Sequence, residues 1–101
     1  MDQDNVLVAT GVTYYHQNDE TTFFEWLGRM ECVQSFRGEL RDLLITLKRR
    51  PTQHDLQELL AFFFRYDIDM SQLIRFETKT NSKWLRHPEA YWHERMFDDG
   101  D

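Results

Sequence analysis

The chain has 101 residues, 18 of them acidic and 12 basic, giving a formal charge of −6 and an isoelectric point near 5.1. That length suits a single domain, 1–101, around one core, and 41% hydrophobic with 15% aromatic residues, 4 Gly and 2 Pro exclude a low-complexity disordered chain. The longest apolar run, Leu59 to Phe64, falls far short of the roughly 20 residues that cross a bilayer, which excludes a transmembrane helix.

Val6 to Tyr15, VLVATGVTYY, alternates β-branched and aromatic residues and predicts an N-terminal strand with Gly11 marking a bulge. His16 to Asp19 breaks that pattern. Asp19 or Thr21 is then placed to cap a short amphipathic helix carrying Phe23, Phe24, Trp26, Leu27 and Met30. One helix from 21 to 48 would leave Phe36, Leu40, Leu43 and Leu47 more than about 90° from the Phe23, Leu27 and Met30 stripe. It would also enclose Gly28 and Gly38, at about 1 kcal/mol each. A hairpin fits better: Glu31 to Phe36, a turn at Arg37-Gly38-Glu39, then Asp42 to Lys48.

Pro51 and Thr52 open the clearest helix, with Thr52 as cap, Asp55 at its third position and LQELLAFFF following. Asp69 with Gln72 signals another short helix, DMSQLIRF, although Ile74, Phe76 and Thr78 also alternate as a strand would. Pro88 suits the first turn of a last helix, PEAYWHERMF, and residues 1–4 and 98–101 are expected to fray. The expected fold is a small α+β domain: an N-terminal strand and a β-hairpin packed by three or four short helices. An all-α bundle is the alternative.

Candidate chemistry is sparse. Cys32, the lone cysteine, excludes an internal disulfide and a CxxC site and reads as a core residue. The start MDQDN lacks the basic flank of a signal peptide, so the expected location is the cytoplasm. Ser35, Ser71 and Ser82 lie in no GxSxG elbow, and the scattered glycines form no phosphate loop, so no cofactor is expected. Asp67 and Asp69 read as a turn with a cap rather than an acid–base pair. Lys48-Arg49-Arg50, and Trp84 beside Lys83 and Arg86, raise nucleic-acid binding, which the net negative charge disfavours. Glu89 and His93, four apart, with His87 or His16 as third ligand, would suit a small metal-dependent hydrolase, but no HExxH is present and a solvated helix face explains them as well.

Charge is uneven along the chain. Residues 1–31 carry six acidic side chains and one basic, residues 87–101 five and one, and the stretch between them ten basic and seven acidic. Acidic ends and abundant aromatics, without a catalytic set, lead to a non-catalytic protein-binding module, a small acidic inhibitor of immunity-protein or antitoxin type facing a basic partner such as a toxin or nuclease. The expected contacts are Asp19, Glu20, Glu25, Glu89, Glu94, Asp98 and Asp99 as charge, with Tyr91 and Trp92 as anchors. The remaining alternative is a self-associating structural module, a homodimer through Phe62 and Phe64.

Overall fold

The structure, a computed structural model, describes residues 5–97. Strand β1 (Val6–Thr10) is followed by helix α1 (Gln17–Arg29), strands β2 (Val33–Glu39) and β3 (Asp42–Leu47), and helix α2 (Gln53–Arg65). A 3₁₀ helix (Met70–Phe76) and two short helices, α3 (Ser82–Leu85) and α4 (His93–Phe97), complete the α+β domain. The three strands form one antiparallel sheet in the order β1-β3-β2, a split βαβ in which β3 lies between the strands that α1 connects. The all-α alternative is excluded.

Register follows from burial. Leu7 and Ala9 pair with Ile45 and Leu43, and Phe36 also faces Ile45, so these apolar side chains share one face. There Leu7, Ala9, Ile45 and Leu47 join Phe23 and Leu27 of α1 and Leu56, Leu59, Leu60, Phe62 and Phe63 of α2 in one core. No helix in the described residues is long and apolar enough to cross a membrane.

The hairpin turn differs from expectation. Keeping Phe36 opposite Ile45 and Val33 opposite Leu47 places Gly38 inside β2, and the chain reverses at Leu40-Arg41 instead of Arg37-Gly38-Glu39. Leu40 thereby adopts a left-handed φ of 59° with its side chain fully exposed. That conformation strains a leucine and suits asparagine, so Leu40→Asn is expected to raise stability by about 0.5–1 kcal/mol, read as a higher urea midpoint with unchanged slope.

β1 also stops earlier than its alternation suggested, because Gly11, at φ 58°, turns the chain and donates its N–H to the Arg41 carbonyl. The outer edge of β1 is not left open. The Gln72 side chain accepts from the Val8 N–H at 2.9 Å and donates to the Val8 carbonyl at 2.8 Å, as a neighbouring strand would, while Arg75 donates to the Val6 carbonyl at 3.0 Å. Residues 70–76 are therefore helical rather than the alternative strand. Asp69 caps that helix by accepting from the Ser71 N–H.

The last expected helix survives only as α4. Between His87 and His93 the backbone makes i→i+3 bonds, Ala90 N–H to His87 and His93 N–H to Ala90, and the Trp92 indole N–H donates to the Leu85 carbonyl. These tight turns bring Trp92 inward in place of a continuous helix.

Candidate functional site

The site forms where the start of α1 meets the end of α2. α2 begins with the capping box that its sequence predicted: Thr52 accepts from the Asp55 N–H, and Asp55 accepts from the Thr52 N–H. It ends in a Schellman motif, in which Asp67, left-handed at φ 58°, donates to the Phe64 carbonyl and Ile68 donates to the Phe63 carbonyl. That motif presents Arg65, Tyr66 and Asp67 at one corner. Opposite them, α1 starts one turn earlier than the Asp19 or Thr21 cap predicted, because His16 Nδ1 accepts from the Asn18 N–H. Asp19 is freed from capping, and its Oδ2 accepts from the Tyr15 N–H at 3.2 Å.

Between these ends lies a pocket of about 160 Å³, lined by Gly11, Thr13, Tyr15, Asp19, Arg65, Tyr66 and Asp67. Two of its polar groups are buried and unpaired: Asp19 Oδ1 and the Tyr66 hydroxyl, in a residue only 6% exposed. The Arg65 guanidinium stands 3.8 Å from Asp19 Oδ1, beyond hydrogen-bond length, and over the Tyr66 ring at 5.3 Å. Burial, then the Asp19 charge, raises the Tyr66 pKa, although phenol and carboxylate do not achieve a well-formed hydrogen bond. Tyr14 is raised by burial and by the negative charges of Glu20 and Asp19. Most buried polar groups elsewhere in proteins find partners, so an orphaned pair beside a pocket calls for an explanation. Tyr15, 89% exposed, stands at its rim.

The anticipated contacts fall on separate elements. Asp19 and Glu20 lie together in the first turn of α1, while Glu25 is exposed further along, 3.8 Å from Arg29. Glu89 and Glu94 are exposed in the C-terminal segment. Tyr91 is 50% exposed and packs edge-on against Phe64 and Trp92. Trp92, expected as an anchor, is instead 8% exposed in the core, where its indole N–H and ring both have partners. Asp98 and Asp99 lie outside the described residues. Arg95, near the C-terminal end of the described chain, nevertheless reaches this corner: it pairs with Asp67 at 3.1 Å and donates to the carbonyl of Phe64, the residue before Arg65. Tyr15, Arg65, Tyr66 and Asp67 escaped sequence reasoning. The DID turn at Asp67 was legible, but not that it would face Asp19 across 48 residues of chain.

Other candidates are engaged elsewhere. Of the pair expected at a dimer stripe, Phe62 is wholly buried and Phe64 is half-buried against Tyr91 and Arg95. His87 Nδ1 accepts from the Glu89 N–H, His93 packs on Phe97, and among the described residues no three His, Cys, Asp or Glu gather into a metal-binding group. Burial pushes the Cys32 thiol up to about 11, with Asp55 adding to the effect, so it remains a protonated core residue at neutral pH. Arg49 is bound to Asp55, Arg50 lies over Phe76, and Arg86 grips Glu77, which ties down much of the basic cluster. A shallower groove of about 460 Å³ along Val12, Tyr14, Phe24, Leu40 and Leu43 holds no buried unpaired group. Comparison with protein-family models, with curated proteins and with solved structures finds no match to this chain.

Proposed function

We propose that the chain is a non-catalytic protein-binding module, a small acidic inhibitor of immunity-protein or antitoxin type that engages a basic protein. The observation that carries this reading is the corner where buried, unpaired Asp19 Oδ1 and Tyr66 hydroxyl adjoin a pocket rimmed by exposed Tyr15. An exposed tyrosine is a residue type that anchors binding hot spots, and acids beside it supply charge complementarity to a basic partner. Glu20 adds negative charge at the same corner, and acidic fields of this kind accelerate association with basic partners. The contact set therefore centres on Tyr15, Asp19 and Glu20, and omits Trp92.

The hydrolase alternative has no gathered set of ligands among the described residues, and a homodimer would have to rely on Phe64, since Phe62 is buried. The test is capture from native lysate with tagged wild type and with the double variant Tyr15→Ala/Glu20→Gln. Wild type is expected to retain one basic protein near stoichiometrically, to shed it as salt rises, and the variant to bind it about tenfold more weakly or worse. Equal retention by both, or recovery of nothing but a multimer of the chain itself, would count against the proposal.

A further inference from the structure

We infer that the Asp19–Tyr66 pocket receives the cationic head group of a partner's side chain, with a guanidinium the best match, and that Arg65 holds its place in the free protein. This rests on the protein-binding reading and narrows it to one contacting chemistry. Size argues first. About 160 Å³ lies below the roughly 300–1,000 Å³ of small-molecule pockets. It suits the end of one side chain.

Charge argues second. Asp19 and Asp67 line the pocket together with Arg65, and Asp67 is already neutralised by Arg95 at 3.1 Å, so Arg65 is the one cation facing Asp19. With Arg65 swung aside, an anion would meet the uncompensated Asp19 carboxylate there. Hydrogen-bonding capacity is the third argument: Asp19 Oδ1 is an acceptor without a donor, and the Tyr66 oxygen can also accept. Arg65 supplies charge at 3.8 Å but no hydrogen bond, and its side chain is 63% exposed, free to swing toward solvent. A planar guanidinium from outside carries several N–H donors in fixed geometry, enough to reach Oδ1 and the phenol together, with Tyr15 offering a ring face at the rim.

The experiment is a titration of the full chain with N-acetyl-arginine amide, and separately with inorganic phosphate, followed by backbone amide shifts. Arginine amide is expected to give saturable shifts at Tyr15, Asp19, Tyr66 and Asp67 in the millimolar range or somewhat above. Asp19→Asn should abolish them, and Tyr66→Phe, which keeps the buried ring, should weaken binding about fivefold. Phosphate should leave these amides unmoved. Arginine shifts that persist unchanged in Asp19→Asn, or occupancy by phosphate, overturn the assignment. Where the amides ignore arginine while Tyr15→Ala/Glu20→Gln still releases a captured partner, the pocket assignment falls and the protein-binding reading stands. Saturable Asp19-dependent shifts with no partner retained support the pocket and overturn the broader reading.

Discussion

Phe62→Ala is expected to lower stability by about 3–5 kcal/mol, a large share of what a domain of this size possesses. The Phe62 ring is wholly buried, with Phe23 at 4.8 Å, Trp26 at 5.0 Å and Tyr66 at 5.3 Å from centroid to centroid. Removing it empties a space bounded by α1 and by α2 itself, and large flat neighbours cannot collapse into that space without leaving their own contacts. The urea midpoint should fall sharply with an unchanged slope if folding stays two-state. The milder Phe62→Leu should cost less and keep the native mass in light scattering. A dimer held together through Phe62 would instead dissociate in that variant, an outcome that would contradict its burial.

Phe62 also shows where sequence reasoning reaches its limit. The apolar arc of α2, with Phe62 and Phe64 about 100° to either side of Phe63, is legible, and so is the inference that one face cannot bury it all. What burial required was a second surface, and it comes from α1 through Phe23 and Trp26 and from the C-terminal turns through Tyr91. Those contacts join residues 27 to 39 apart in sequence, which periodicity does not register. Elements with local causes were readable: the Thr52–Asp55 capping box, the Asp69 cap, the β3 alternation and the split at Gly28 to Gly38 that favoured strands over a long helix.

Boundaries set by tertiary bonds were not readable. β1 ends at Thr10 because Gly11 binds Arg41, the hairpin turns at Leu40 because register places Gly38 in β2, and PEAYWHERMF is broken because Trp92 turns in to Leu85. Of the site, acidity at the start of α1 was anticipated. The pocket itself arises from Asp19 facing Tyr66, a juxtaposition that only the packing of α1 against α2 creates.

The second large effect is expected at Asp55, the one buried charged residue among those described, 3% exposed. Asp55→Ala should cost about 2–4 kcal/mol, because a single carboxylate there serves three purposes. It accepts the Thr52 N–H at 2.9 Å, binds the Arg49 guanidinium at 2.8 Å, and lies in the favourable first turn of α2. Without it, Arg49 keeps only its 3.3 Å contact with the Glu31 carbonyl, and the connection between β3 and α2 loses its anchor. Burial alone would raise the Asp55 pKa, but the Thr52 hydrogen bonds and the Arg49 charge more than offset it, and the carboxyl titrates below its ordinary range.

Glu77 is depressed in the same direction by its hydrogen bonds to Arg86 and Ser82. Both groups bind protons more tightly in the unfolded chain. Their stabilisation is therefore complete above the unfolded carboxylate values, about 4, and is lost as pH falls through the lower folded values. Urea midpoints measured from neutral pH down to strongly acidic conditions should fall in the wild type, and fall less steeply in Asp55→Asn, which starts from a lower plateau. An identical acid slope in that variant would mean that the Asp55 carboxylate is no more favoured in the folded chain than in the unfolded one, and that Arg49 merely lies beside it.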